Sequence, residues 1–217
     1  MSDNGALQAL REVDAIITDS HVVYTSGRHG KTYVNKDALY LHPRVTERVC
    51  GLMAKHYAPE AVDVVAGPTV GGVILAQWTA WHLTMARGSG EVLAVFAEED
   101  VVNGEKIRAF RRCYDQQIPG RRIVIVEDVV TTGGSARRVV DAVRALGGEI
   151  VGLSILCNRG GVTAADLGGV PIHALTTLTD LESWPEEDCP LCQQDIPINV
   201  AVGKGKAFLA RQMAGKG

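Results

Sequence analysis

Two adjacent carboxylates, Glu127 and Asp128, close an apolar β-branched run from Ile123 to Val126. A turn of small polar residues, Thr131-Thr132-Gly133-Gly134-Ser135, follows almost at once. An ionised carboxylate only accepts hydrogen bonds and a vicinal diol donates two, so the acid pair suits sugar hydroxyls. A small-residue turn that opens a helix presents unpaired backbone N–H groups and hydroxyls, which suits a phosphate. Read together, the two halves fit a ribose 5-phosphate. They also fit a plain strand-turn-helix whose acids only cap or meet solvent.

A second segment repeats the pattern. Val64-Val65-Ala66 ends in Gly67-Pro68-Thr69-Val70-Gly71-Gly72 before an apolar helix. Gly71 and Gly72 would let backbone approach an anion closely. Taken alone this is also an ordinary glycine-rich βα turn. Beside the first motif, Thr69, Val70 and Gly71 become candidates for a second phosphate contact.

The elements that must position these loops follow from periodicity. Val139, Val140, Val143 and Leu146 predict the helix behind the acid pair. Helices are also predicted over Ala6 to Thr18, Val45 to Tyr57 (with Pro43 near its start) and Gly71 to Arg87. Strands are predicted over Val62 to Ala66, Val92 to Ala97, Glu149 to Cys157 and Val170 to Leu178. The stretch Val22 to Asn35 is β-prone with a hairpin-like turn at Ser26 to Gly30, and Glu98 to Gly120 is polar with weak periodicity. Val/Ile-rich strands alternating with helices imply an α/β fold whose central parallel sheet is covered on both faces. Ligands of such sheets sit at the carboxyl ends of the strands, where both loops fall. The expected organisation is an N-terminal hood and helix over 1–40, an α/β core over 41–180 and a C-terminal tail over 181–217.

Composition bounds the partners. The chain has 217 residues, is 46% hydrophobic and 22% charged, and carries a formal net charge of −3. That balance gives no pull toward nucleic acid or an anionic membrane. Aromatics at 5% disfavour a base-stacking single-strand binder. No apolar run approaches the ~20 residues that span a bilayer, and the polar start Met-Ser-Asp-Asn-Gly lacks the regions of a signal peptide. Five cysteines, an odd number, suit reduced thiols in a cytoplasm.

The strand, acid pair and Thr/Gly turn resemble the phosphoribosyl-diphosphate (PRPP) signature of type I phosphoribosyltransferases. The segment from His21 to Asn35, with Ser26-Gly27-Arg28 and Tyr33-Val34-Asn35, is similar to the start of the orotate enzymes. The resemblance spans roughly Val22 to Arg159. It implies a Rossmann-like type I phosphoribosyltransferase core with a small hood. It implies that PRPP and orotate give orotidine 5′-monophosphate and pyrophosphate, on the route to UMP. Mg²⁺ would arrive with PRPP, with no metal held by protein side chains alone, and the enzyme would be a cytoplasmic homodimer. By the same resemblance Glu127, Asp128 and Thr131 to Ser135 bind PRPP, joined by Thr69, Val70 and Gly71. Tyr33, Val34, Thr131 and Arg159 would meet the base, with Arg159 on the orotate carboxylate. Glu98 to Gly120 would be a mobile loop over PRPP, with Lys106 as the catalytic cation beside the acid pair and Arg108, Arg111 and Arg112 in reserve. Family lysines are missing at Thr25, Gly71 and Glu99. Two alternatives therefore stay open: a transferase for another nucleobase, and a PRPP-binding regulator without turnover.

The remaining motifs read as structural. Cys189-Pro-Leu-Cys192 is a lone Cys-x-x-Cys, and a cysteine-only zinc site would need two of Cys50, Cys113 and Cys157. The six histidines show no metal-ligand spacing. A packing or surface pair is expected, away from any helix start, with His29 near the site and the other histidines structural or on the surface. Gly203-Lys204-Gly205-Lys206 lacks the spacing of a P-loop. Trp78 and Trp81 are expected in the core or at a dimer contact.

Overall fold

The computed structural model describes residues 4–178 and 182–214. Part of the polar start and the expected tail boundary at 180/181 lie outside the described residues. The chain divides into two units, one formed by Met1–Ala9 and Leu39–Thr179, the other by Leu10–Ala38 and Asp180–Gly217.

The elements in chain order are α1 (Asn4–Glu12), β1 (Ile16–Ile17), β2 (Val22–Val23), β3 (His29–Gly30), β4 (Tyr33–Val34), α2 (Lys36–Tyr40) and α3 (Pro43–Ala54). They continue with β5 (Val64–Pro68), α4 (Gly71–Ala86), β6 (Leu93–Val102), β7 (Glu105–Phe110), β8 (Arg122–Val130) and α5 (Gly134–Ala145). The last are β9 (Glu149–Asn158), β10 (Ile172–Thr177), β11 (Ser183–Trp184), α6 (Pro190–Gln193) and α7 (Gly205–Ala214).

The first unit carries a six-stranded sheet in the order β10-β9-β8-β5-β6-β7. All neighbours are parallel except β6 and β7, which are antiparallel. Burial explains the Val/Ile-rich central strands. Along β8, Ile123 and Ile125 join the core beneath Val139, Val140 and Val143 of α5. Val124 and Val126, which alternate with them, are equally buried. Successive side chains point to opposite faces, so β8 is covered on both. Asp63 leads into β5 and fastens it to β8: both its oxygens accept from the Arg122 side chain, at 2.8 and 3.0 Å.

Two expectations need correction here. The polar stretch after Ala97 does not begin as a loop: β6 runs on to Val102 and β7 returns as its antiparallel partner. Asn103 and Gly104 between them have φ of 53° and 82°. Both are left-handed, as a two-residue type I′ hairpin turn requires, and Asn-Gly is a strong signal for it. The first helix also stops at Glu12 rather than near Thr18. Asp14 adopts φ 50°, and the N–H of Ala15 donates to the carbonyl of Leu10. That is a Schellman-type stop, which frees Ile16 and Ile17 to form β1.

The second unit is small. It holds a two-stranded pair, β1-β4, and a three-stranded sheet, β11-β3-β2. Arg28, just before β3, donates from Nε to Ser183 Oγ of the neighbouring β11 at 3.0 Å. Contrary to expectation, Cys-x-x-Cys does open a helix, because α6 begins directly after Cys189. Among the described residues no helix is long and apolar enough to cross a membrane, and the five cysteines are free thiols.

Candidate active site

Strand β8 delivers Glu127 and Asp128 at its carboxyl end, each nearly buried. Alternation sends them to opposite sides. Asp128 Oδ2 accepts from the Tyr40 hydroxyl at 2.9 Å, and Oδ1 accepts from the N–H of Val129 at 2.6 Å. Burial, then the Asp128 charge, raise the Tyr40 phenol well above its ordinary range, so Tyr40 stays a donor. Glu127 faces the turn. Burial, then Asp128, push its carboxyl upward, while Ser135 and Arg108 oppose the shift. Its Oε2 is buried without a hydrogen-bond partner among the described residues.

The turn from Thr131 to Ser135 borders a cavity of about 200 Å³, lined also by Glu127, Val129, Val130 and Ala136. Gly133 sits at the N-cap of α5 with φ 77° and no side-chain cap. The first N–H groups of the helix therefore lack the usual side-chain acceptor and supply the positive end of its dipole. Gly134, by contrast, is helical, and a Cβ there would find ordinary space, 3.5 Å from Arg138 Nη1. Gly133 is thus the position that requires glycine: its Cβ would press on Leu167 and Val162, each at 3.2 Å, and its φ is left-handed.

The second loop leaves β5 beside the first. A Cβ at Gly71 would collide with the Asp128 carboxylate and lie 2.5 Å from the Tyr40 hydroxyl. That is a physical reason for glycine where the family has lysine: Tyr40 and Asp128 fill the space beside it. Val70 stands at the loop tip, 78% exposed. Thr69 is held from β7, because Arg108 Nη1 donates to Thr69 Oγ1 at 3.0 Å. Arg108 Nη2 donates to Ser135 Oγ at 3.2 Å, so this one guanidinium bridges the two loops.

The other cations of that segment are engaged within the hairpin and the strand ends beside it. Lys106 pairs with Glu99 at 2.9 Å, Arg112 with Glu98 at 2.8 Å, and Arg111 with Asp100. Among the described residues Arg108 is the cation of the four that pairs with no carboxylate and touches both loops. The structure thus brings Glu127, Asp128, Thr69 and the 131–135 turn together, and it leaves Lys106 at the hairpin with Glu99. Arg159 follows β9, half-buried, its N–H donating to the Val130 carbonyl at 2.8 Å. Tyr33 and Val34 form β4 of the second unit, paired with Ile17 and Ile16.

Sequence reasoning did not find Tyr40, nor Arg108's bridging place. Tyr40 lies 88 positions from its partner, and no local pattern announces it.

Comparison with known proteins gives the family and the fold. A phosphoribosyl transferase domain matches residues 35–170. The orotate phosphoribosyltransferase of Pelotomaculum thermopropionicum is 38% identical over 87% of this chain and 92% of its own length. Among solved structures, the orotate phosphoribosyltransferase of Mycobacterium tuberculosis H37Rv in complex with PRPP superimposes with a TM-score of 0.58 at 25% identity. The match covers 81% of this chain and 98% of that one. The Aeropyrum pernix enzyme, at 20% identity, shares the fold with a TM-score of 0.63, over 79% of this chain and 92% of its own. The chain belongs to the phosphoribosyltransferase family, in its orotate phosphoribosyltransferase branch.

Proposed function

We propose that this chain transfers the phosphoribosyl group of PRPP to orotate, giving orotidine 5′-monophosphate and pyrophosphate in the synthesis of UMP. One observation carries the reading: a buried acid pair ends the strand before an uncapped helix turn, and one of its members, Glu127, lines a cavity of about 200 Å³ at that turn. In this reading the N–H groups and hydroxyls of Thr131 to Ser135 hold the 5′-phosphate. Glu127 and Asp128 accept hydrogen bonds from the ribose hydroxyls, with Tyr40 fixing the orientation of Asp128. The Thr69–Gly71 loop receives the pyrophosphate, and Arg108 stabilises the charge that builds there as the anomeric bond breaks. Arg159 offers a guanidinium to the orotate carboxylate, a contact that uracil lacks. Tyr33 and Val34 are assigned to the base on sequence likeness alone.

Mg²⁺ fits the chemistry of the donor set, since the carboxylates and the diphosphate of PRPP are all hard oxygen ligands. Bound, it would neutralise diphosphate charge. No nucleophilic side chain is required; positioning and electrostatics do the work. The exposed Trp81 and Met85 on α4 support association of two copies, and the free thiols support a cytoplasmic setting. The test is orotate consumption with PRPP and Mg²⁺, with the reverse reaction from pyrophosphate and a panel of adenine, guanine and uracil. Turnover of another base with orotate inert would reject orotate, and PRPP binding without any turnover would reject the enzyme.

A further inference from the structure

In the second unit, four potential ligand atoms converge from opposite ends of the chain. His21 precedes β2, His29 begins β3, and Cys189 and Cys192 flank the first turn of α6. His21 Nε2 lies 2.9 Å from His29 Nδ1 and 3.7 Å from each of the two sulfurs. Cys192 Sγ lies 3.3 Å from His29 Nδ1. All four atoms fall within 4.8 Å of one another. We infer that His21, His29, Cys189 and Cys192 hold a structural zinc ion that fastens this unit together.

Geometry is the first support. Zinc bonds of about 2.3 Å to sulfur and about 2.0–2.1 Å to nitrogen give a tetrahedron with edges of roughly 3.3–3.8 Å. Three of the four separations above fall in or at the edge of that range, and the shortest, between the two nitrogens, needs only a few tenths of an ångström. Two sulfurs and two imidazole nitrogens are the ligand set that selects zinc.

Hydrogen bonding is the second. His21 Nδ1 meets the Ile196 carbonyl at 2.7 Å. It must donate there, so Nε2 carries the lone pair and the ring is oriented as a metal ligand's would be. Three neighbours then face one lone pair: His29 Nδ1 and both cysteine sulfurs. A single lone pair cannot accept from three donors. One cation at the centre satisfies all four groups at once.

Burial and charge are the third. His21, His29 and Cys189 are each at most 2% exposed, as in a closed structural site with no open coordination position. Zinc takes cysteine as thiolate, so two protons leave as one dication enters. The resulting centre of two thiolates and two neutral imidazoles carries no net charge, which suits a buried place.

The unit needs such a staple. Its strands are two residues long, and it joins two segments far apart in sequence. Small units of this kind rarely hold on core burial alone. Cys-Pro-Leu-Cys thus stops being an isolated pair: the histidines that complete it were invisible because neither lies near it in sequence.

The experiment uses the full chain, without a histidine tag, purified from zinc-supplemented culture with no chelator. Elemental analysis should find one zinc per chain, and cobalt exchanged into the protein should show the visible bands of a tetrahedral thiolate site. Stripping the metal should lower the melting transition, and zinc should restore it. Cys192→Ser should lose the ion, whereas Cys192→His, which keeps a ligating atom, should retain it. Protein holding well under one zinc per chain after reconstitution would overturn the assignment. So would a Cys189–Cys192 disulfide, seen as the loss of two hydrogens by mass, or full zinc in a Cys189→Ser/Cys192→Ser chain. None of these readouts depends on turnover of PRPP.

Discussion

The turn after β8 and the hairpin of β6 and β7 carry most of the polar chemistry beside the sheet, and they treat charge in opposite ways. In and beside the hairpin, Glu98, Glu99 and Asp100 each meet a cation. The pairs cancel, and in solvent each is worth little. At the turn the pairing is left incomplete. Among the described residues the start of α5 has no side-chain cap, Glu127 Oε2 has no partner, and Arg108, the guanidinium that reaches across, keeps its Nε unpaired. A structure built only for stability would satisfy these groups. Unmet donors and acceptors in a nearly buried place are what a phosphate and a sugar diol can satisfy, and the low local dielectric strengthens each contact.

The sharpest test of that contrast removes an acceptor from the turn. Asp128→Asn replaces an oxygen that accepts from Tyr40 or Val129 with an amide that donates. Steady-state kinetics should show kcat/KM down by at least ~10²–10³ with the fold intact by circular dichroism. Near-parental kcat/KM would remove the acid pair from the mechanism. Next come the two hairpin cations. Arg108→Ala should lower kcat by about 10², since it loses a donor aimed at developing charge. Lys106→Ala should change kcat only a few-fold, because its ammonium is spent on Glu99. The reverse ranking would mean that the hairpin rearranges over substrate and that Lys106 is the working cation after all.

How much of this was legible depends on distance along the chain. The acid pair, the turn and the strand-helix alternation are contiguous, so residue type and period reveal them. The hairpin was legible in principle, since Asn103-Gly104 fixes its register, and that register decides which cation faces the loops. Arg108 stands opposite Glu99, while Lys106 stands opposite Val101, two residues or ~7 Å nearer the tip. Reading the stretch as a loop erased that difference and made Lys106 and Arg108 interchangeable. Tyr40 beside Asp128, and the His21–Cys192 cluster, depend on tertiary closure over 88 and 171 positions. No period or local spacing encodes such meetings.

A smaller effect separates the two glycines of the turn. Gly133→Ala forces a left-handed residue at a cost of ~1–2 kcal/mol and presses on Val162 and Leu167. PRPP titration by calorimetry should show binding weakened about tenfold, the equivalent of ~1.4 kcal/mol. Gly134→Ala makes only ordinary van der Waals contacts in a helix, where alanine is favoured over glycine, and should bind PRPP within a few-fold of the parent. Equal damage from both would mean that backbone conformation at Gly133 is not what shapes the phosphate turn.

The remaining effect is on stability rather than on catalysis or binding, and it separates incomplete from complete pairing directly. Burial raises the Glu127 carboxyl in the folded protein. Below its unfolded value, ~4.3, both states hold the proton and Glu127 costs nothing. As pH rises above that value the unfolded chain releases the proton while the folded chain resists, so stability falls until the raised folded value is passed. Glu127→Gln removes the titration. Without ligand it should melt higher than the parent at pH 8, by an amount on the order of 1–3 kcal/mol for relieving a poorly satisfied buried polar group. That advantage should shrink toward nothing near pH 4. Glu99→Gln in the hairpin deletes a carboxylate that already has Lys106, in solvent, and its melting curve should track the parent at every pH. Melting transitions followed from pH 4 to pH 8 decide the matter. Parallel curves for Glu127→Gln and the parent would show that the turn carries no unsatisfied charge, and the contrast with the hairpin would fail.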